Sequence, residues 1–117
     1  MPLLKIQASV ATPDPSQVNR LLKQLSSQLA NHLHKSEAYV MTAFEADIPM
    51  TFGGSEAPAC YLEVKSVGTI SPLQTQAISQ DLCQILEDEL KIPKNRIYIE
   101  FNESKGSLWG WNGTTFG

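Results

Sequence analysis

The sequence has little cysteine, little charge and no long apolar run. Its two cysteines, Cys60 and Cys83, form neither a CxxC pair nor a spacing typical of metal sites, so we expect two free thiols and no metal. Nine basic residues against twelve acidic ones give a net charge of −3, which disfavours nucleic acid and anionic membranes as partners. No stretch resembles a membrane span or a signal peptide, so the cytoplasm is the default location.

Hydrophobic residues make up 42% of the 117 positions, which is too much for a mainly disordered chain. This length suffices for one ordinary domain and is too short for two. We therefore predict a single domain over residues 1–117, built from two pseudo-repeats at about 2–57 and 59–117.

The first half of the chain predicts a strand, a helix and a second strand. Apolar and polar residues alternate from Leu3 to Ala8, which is the period of a half-buried strand. Asp14 and Pro15 then offer a helix N-cap and a first-turn proline, and leucines recur at three- and four-residue steps over about 19 residues. Alternation returns from Tyr39 to Glu45, before a loop rich in glycine and proline.

The second half repeats this order, with strands near Cys60–Lys65 and Ile97–Phe101 around a helix that begins at Ser71-Pro72. A shift of 57 positions superimposes the first helix on the second: Pro15 on Pro72, Leu21 on Ile78, Leu25 on Leu82, Leu29 on Leu86 and Leu33 on Leu90. The prediction is an α/β (α+β) fold, a tandem βαβ repeat with both helices on one face of a four-stranded sheet.

The other face of that sheet carries a mixture of apolar and charged side chains. They are Leu3, Lys5, Gln7, Met41, Tyr61, Glu63, Lys65, Arg96, Tyr98 and Glu100. Such a mixture suits a subunit interface better than a dry core or a fully solvated surface. Extra short strands near Trp109 and Phe116 could pair with a neighbouring chain, so we expect a homo-oligomer.

Pro2 is the candidate for chemistry, because removal of Met1 would leave a secondary amine at the chain terminus. A free α-amino group has a pKa of about 7.7–8.0, and burial lowers that value. An amine that is neutral near pH 7 can take a proton from carbon beside a carbonyl group, without metal or cofactor. By itself, a Met-Pro start is common and carries no function.

Five short motifs extend along the chain. They are Pro2, Phe52-Gly53-Gly54-Ser55, Ser66-Val67-Gly68, Arg96-Ile97-Tyr98-Ile99 and Gly110-Trp111-Asn112-Gly113-Thr114-Thr115-Phe116. In this order and spacing the chain resembles the macrophage migration inhibitory factor family of the tautomerase superfamily, in a non-vertebrate, microbial form. The resemblance implies a homotrimer with an active site at each subunit boundary, no cofactor, and Pro2 as the catalytic base.

The resemblance also implies the remaining site residues. Lys35 would hold the carboxylate or enolate oxygen of the substrate. The pair Ser66-Val67 would offer a backbone group and an aliphatic wall, and Tyr98 would come from the adjacent subunit. Trp109, Trp111 and Phe116 would shape the aromatic side. Solvation of Lys35, and plain interface packing of Tyr98 and Trp111, remain alternatives.

Three departures from the family pattern limit what it implies. Glu100 stands where vertebrate members often have asparagine, and its charge could weaken binding of a carboxylate substrate. The vertebrate CxxC is missing around Cys60, so thiol–disulfide activity has no residues to act through. No arginine lies near Thr12, where cytokine members of the family use one for receptor contact. Asp47 does match the acidic residue that accompanies this arginine in those members.

The predicted function is therefore an isomerase, a keto–enol tautomerase of phenylpyruvate-like and dopachrome-like acids. The alternative is a cytokine-like or host-modulating interaction protein with vestigial catalysis. Receptor binding is left open but weakened, and leaderless secretion leaves no mark in a sequence.

Overall fold

The computed structural model describes residues 1–117. Six strands and two helices follow one another along the chain: β1 (Leu3–Ala8), α1 (Pro15–Leu33), β2 (Met41–Glu45), β3 (Cys60–Val67), α2 (Pro72–Leu90), β4 (Ile97–Ser104), β5 (Gly110–Trp111) and β6 (Thr114–Thr115). Short 3-10 turns lie at Glu37–Tyr39, Lys94–Arg96 and Gly106–Leu108. None of the helices combines the length and apolar character needed to cross a membrane.

The four long strands form one mixed sheet in the order β2-β1-β3-β4. Strand β1 is parallel to β2 and antiparallel to β3, and β3 is parallel to β4. Two βαβ units therefore meet at the central antiparallel pair, which confirms the predicted fold class. The short strands predicted near the carboxyl end are present as β5 and β6, and within one subunit they pair with each other in a separate two-stranded sheet.

Both helices begin where the sequence predicts, because a polar side chain caps each first turn. The Asp14 carboxylate accepts a hydrogen bond from the Ser16 N–H at 3.0 Å. At α2 the Ser71 hydroxyl accepts the Gln74 N–H at 3.2 Å, and the Gln74 side-chain carbonyl accepts the Ser71 N–H at 2.9 Å. This reciprocal capping box satisfies two backbone donors that the helix itself leaves unpaired.

The core lies between the helices and one face of the sheet. Alternate residues of β1 and β3 are buried, while their neighbours face the uncovered side. The cluster contains 17 buried residues, including Leu4, Ile6, Leu21, Leu25, Leu29, Leu62, Val64, Ile78, Leu82, Leu86 and Ile92. Burial of these side chains fixes which face of each strand remains available to a partner.

Two sequence predictions are wrong in detail. Tyr39 precedes the second strand instead of starting it, because the Ser36 hydroxyl accepts the Ala38 N–H and begins a 3-10 turn. Arg96 does not lie on the uncovered sheet face. It ends the turn before β4, and its guanidinium donates to carbonyl groups of the loop that follows Phe52.

Candidate active site

A cavity of about 250 Å³ opens beside the amino terminus. Three parts of the chain form it: the terminal residues, the segment that enters β2, and the carboxyl-terminal segment. Its lining residues are Met1, Pro2, Leu3, Ala38, Tyr39, Val40, Met41, Trp109, Gly110, Trp111 and Phe116. The lining is mostly apolar, which suits a small ligand with a hydrophobic body.

Pro2 is held at this cavity by the first rung of the sheet. Its carbonyl oxygen accepts the Met41 N–H at 3.0 Å, and the next residue, Leu3, pairs with Met41 in the register of β1 and β2. Pro2 is almost fully buried in the chain that still carries Met1. The sheet therefore fixes where the Pro2 nitrogen lies.

The terminal amine of the chain lies in a setting that favours its neutral form. Partial burial lowers the pKa of the Met1 amino group, and the positive charge of Lys35 lowers it further. Lys35 itself follows α1 and is exposed, with no carboxylate within 4 Å of its Nζ atom. The same Nζ lies beside Gly68, 3.8 Å from where a Cβ on that glycine would be.

Three aromatic rings form one wall of the cavity. The Trp111 ring stacks on Phe116, with centroids 5.5 Å apart and planes at 15°, and meets the edge of Tyr39 at 5.3 Å. Phe116 is fixed through its N–H, which the carbonyls of Gly106 and Trp109 accept at 3.1 and 3.2 Å. A Cβ on Gly106 would lie 2.6 Å from the Phe116 carbonyl oxygen, so this close approach requires glycine.

Ser66 and Val67 lie at the same end of the sheet as Pro2, because β1 and β3 are antiparallel and Leu3 pairs with Lys65. Ser66 is buried, and its hydroxyl contacts the Val67 carbonyl at 3.4 Å on the helix side. Val67 is half-buried and borders a separate groove, which is also lined by Gly68 and Lys105. Within one subunit, neither residue lines the Pro2 cavity.

Tyr98 and Glu100 lie away from the Pro2 cavity of their own subunit. Tyr98 pairs with Tyr61, which lies four residues before Lys65 on β3. Because Lys65 pairs with Leu3 at the Pro2 end of the sheet, Tyr98 lies about 13 Å from that end along the strand direction. Glu100 faces the uncovered side of the sheet, where it accepts the Asn102 amide at 3.0 Å and the Tyr61 hydroxyl at 3.3 Å. A single subunit therefore does not bring these two residues to Pro2.

Tyr61 connects two carboxylates on this face. Its hydroxyl also contacts Glu63 at 3.2 Å. Burial, followed by the negative charges of Glu63 and Glu100, raises the pKa of Tyr61 to about 12. The phenol therefore stays protonated and can donate to either acid.

Sequence reasoning missed several residues of the cavity, among them Tyr39 and Met41. As the first residue of a predicted strand, Tyr39 gave no sign of function. Its role depends on the 3-10 turn that carries its ring to Trp111. Met41 was assigned only to the uncovered sheet face, and its position beside Pro2 follows from the parallel register of β1 and β2.

A larger cavity of about 560 Å³ lies elsewhere, at the opposite end of β1, around Ser9, Asp47 and Glu56. Asp47 accepts the Thr12 hydroxyl there at 2.6 Å. This cavity is open and polar, and none of the residues predicted to act on a substrate lines it. The smaller cavity at Pro2 is therefore the candidate active site.

Comparison with known proteins agrees with this fold and extends over the whole chain. The family model described as macrophage migration inhibitory factor (MIF) matches residues 1–117. A macrophage migration inhibitory factor homolog from Brugia malayi is 39% identical over 117 residues, which is 100% of both chains. A rat macrophage migration inhibitory factor is 33% identical and covers 99% of each chain.

Solved structures give the same result. A macrophage migration inhibitory factor homologue from Prochlorococcus marinus is 49% identical with a TM-score of 0.91, covering 98% of this chain and 99% of that one. The protein from Toxoplasma gondii is 34% identical with a TM-score of 0.92, covering 97% and 99%. These relatives share the tautomerase fold, and members of the family are isomerases that are typically homotrimers. The chain belongs to the macrophage migration inhibitory factor family.

Proposed function

We propose that this chain is a cofactor-independent keto–enol tautomerase of phenylpyruvate-like acids, and of dopachrome-like acids, that acts as a homotrimer. One observation carries the proposal: Pro2 lines an apolar cavity with an aromatic wall, at a chain terminus where burial and the charge of Lys35 lower the pKa of the Met1 amine. A neutral amine beside an aromatic wall fits a substrate that has a ring and a carbon acid.

The proposed base is the secondary amine that Pro2 carries once Met1 is removed. In its neutral form this amine takes a proton from the carbon beside the keto group. The electron pair of that C–H bond forms a carbon–carbon double bond, while the π pair of the carbonyl group moves to the oxygen and gives an enolate. The proton then goes to the oxygen, which gives the enol, and the reverse sequence restores the keto form.

Lys35 is proposed to stabilise the negative charge on the enolate oxygen or to hold the substrate carboxylate. Its ammonium has no carboxylate partner, so its charge remains available to a ligand. Electrostatic stabilisation of this kind is worth about 10²–10³ in rate for one well-placed donor. Glu100, if it reaches the same ligand, would oppose the carboxylate and weaken binding.

The trimer is proposed because one subunit leaves the site incomplete. Tyr98, which the family resemblance assigns to the site, lies about 13 Å along the strand direction from the Pro2 end of the sheet, so in this proposal a second copy supplies it. The uncovered face also exposes Met41 and Tyr98, both about two-thirds accessible. A subunit boundary would bury these side chains and place Tyr98 in the cavity of a neighbour.

The decisive experiment follows phenylpyruvate enol–keto exchange in the ultraviolet. Protein whose intact mass shows that Met1 is absent is compared with protein that carries a short uncleaved extension before Pro2. We expect activity only in the processed form, because an amide nitrogen is not a base. Pro2→Gly should remove most of the activity and leave the trimer intact by sedimentation.

Pro49→Gly is the matched control, since Pro49 is exposed and borders the other cavity. It should keep the parental rate. Equal rates with and without the extension, or a Pro2→Gly variant at the parental rate, would refute the proposed base. A processed trimer without activity would instead favour the cytokine-like interaction protein.

A further inference from the structure

The loop after Phe52 makes few backbone hydrogen bonds of its own. A tight turn opens it, in which Phe52 and Ser55 exchange two backbone hydrogen bonds of 3.0 and 3.1 Å. Gly53 and Gly54 occupy the turn with φ of 60° and 77°, a left-handed conformation that glycine adopts without strain. From there to Pro58 the chain forms no helix or strand.

Arg96 holds this loop through a set of charge-assisted hydrogen bonds. Its Nη1 donates to the Phe52 carbonyl at 3.3 Å, and its Nη2 donates to Ser55 at 3.1 Å and Ala57 at 2.8 Å. Its Nε donates to the Pro58 carbonyl at 2.8 Å. Four carbonyl oxygens thus surround one planar guanidinium, whose five donors are fixed relative to one another.

The same side chain also connects to Tyr98. The guanidinium carbon lies 5.3 Å from the centre of the Phe52 ring, within the range of a cation–π contact. The centre of the Phe52 ring in turn lies 4.9 Å from the centre of the Tyr98 ring, at an interplanar angle of 56°. Tyr98 is 66% exposed, and Phe52 is the ring that packs against it.

We infer that Arg96 is a positioning residue that acts through Phe52 to set the direction in which the exposed Tyr98 ring projects. The inference rests on the proposed function, in which Tyr98 contacts the substrate bound in a neighbouring subunit. Arg96 itself touches no part of the Pro2 cavity. Its loss should therefore alter substrate binding and leave the chemistry at Pro2 unchanged.

Two variants test the contact between Arg96 and Phe52 and the contact between Phe52 and Tyr98 separately. Arg96→Lys keeps the positive charge but replaces the planar guanidinium with a single ammonium, which cannot donate hydrogen bonds to all four carbonyl oxygens. Phe52→Leu keeps an apolar side chain and the glycine turn but removes the ring. Arg20→Lys is the matched control, because Arg20 is an exposed arginine on α1.

The first measurement is the steady-state rate of phenylpyruvate tautomerisation, with the oligomer checked by sedimentation. We expect KM to rise about fivefold in Arg96→Lys and in Phe52→Leu, with kcat within about twofold of the parent. If Arg96 acts through Phe52, the double variant should also show a rise of about fivefold. Additive effects, with a rise near 25-fold, would overturn the inference.

The second measurement does not depend on activity. Protein labelled with 3-fluorotyrosine has three fluorine signals, from Tyr39, Tyr61 and Tyr98, and a Tyr98→Phe variant assigns the last of them. We expect the Tyr98 signal to shift in Arg96→Lys and in Phe52→Leu, while the Tyr39 and Tyr61 signals and all signals of Arg20→Lys stay in place. A Tyr98 signal unchanged in both variants would overturn the inference. A parent protein without activity would refute the proposed function, and the fluorine signal would still decide whether Arg96 positions Tyr98.

Discussion

Replacement of Trp111 by alanine tests whether the aromatic wall binds the ring of the substrate. Trp111 is 49% exposed, so half of its surface is available to a ligand. The other half contacts Phe116 at 5.5 Å and Tyr39 at 5.3 Å between ring centroids. The variant removes the ring that both neighbours share.

The magnitude follows from these contacts. An aromatic pair contributes about 0.5–1.5 kcal/mol beyond the area it buries, so losing the direct contact with the substrate ring costs about 1 kcal/mol. Phe116 and Tyr39 each lose a partner as well, and their disorder adds about 1 kcal/mol. The sum of about 2 kcal/mol corresponds to a rise in KM of about 30-fold for phenylpyruvate.

The assay compares two substrates and two further variants. Pyruvate has the same keto acid group but no ring, so its KM should stay within about threefold of the parent in Trp111→Ala. Trp111→Phe keeps a ring that can stack on Phe116 and should change the KM of phenylpyruvate by about threefold or less. Leu108→Ala, at an exposed position nearby, should change neither KM.

The reasoning would be refuted by an equal rise in KM for both substrates, because the wall would then act on the whole cavity and not on the ring. An unchanged KM for phenylpyruvate would refute it as well. Sedimentation of each variant separates these results from loss of the proposed trimer.

Three other predictions follow from the pKa shifts and the helix caps. Because a base must be neutral, activity should fall as the pH drops through the pKa of the Pro2 amine. The Lys35 charge lowers the pKa of the Met1 amine in the unprocessed chain, and we expect it to act in the same direction on the Pro2 amine. Lys35→Met should therefore move the acidic limb of the rate profile to higher pH, while Lys35→Arg should leave it in place. Ser71→Ala removes one bond of the capping box and should lower the free energy of unfolding by about 1 kcal/mol, measured with urea; no change would refute the cap. Burial raises the pKa of Cys60 to about 12 and also raises that of Cys83, so neither thiol should react quickly with a disulfide reagent at pH 8 until the protein is unfolded. Rapid reaction of Cys60 in the native protein would contradict its burial.

Local patterns in the sequence determined the helices and the core. The step of three and four residues between leucines from Leu21 to Leu33 could be satisfied only by a helix with one buried face. Asp14 and Ser71 marked the helix starts, since each supplies an acceptor that the first turn lacks. These effects act over a few residues, so they can be read without knowledge of the fold.

The tertiary structure alone decided which distant residues meet. The antiparallel register of β1 and β3 places Ser66 and Val67 at the Pro2 end of the sheet and Tyr98 at the far end. Met41 and Trp111 reach the same cavity only because β2 pairs with β1 and the carboxyl-terminal segment folds back beside these two strands. Strand register depends on packing between elements far apart in the chain, and no local pattern encodes it.

Arg96 shows most clearly the difference between what local sequence patterns predict and what the tertiary structure determines. Its position in a strand-like pattern predicted a place on the uncovered sheet face. In the structure its guanidinium turns to carbonyl groups between Phe52 and Pro58, about 40 residues earlier in the chain. An arginine side chain goes where several unpaired acceptors converge, and that convergence exists only after the loop and β4 have packed together. The sequence by itself determined the elements and the candidate base, and the tertiary structure decided which side chains of the subunit surround that base and which lie away from it.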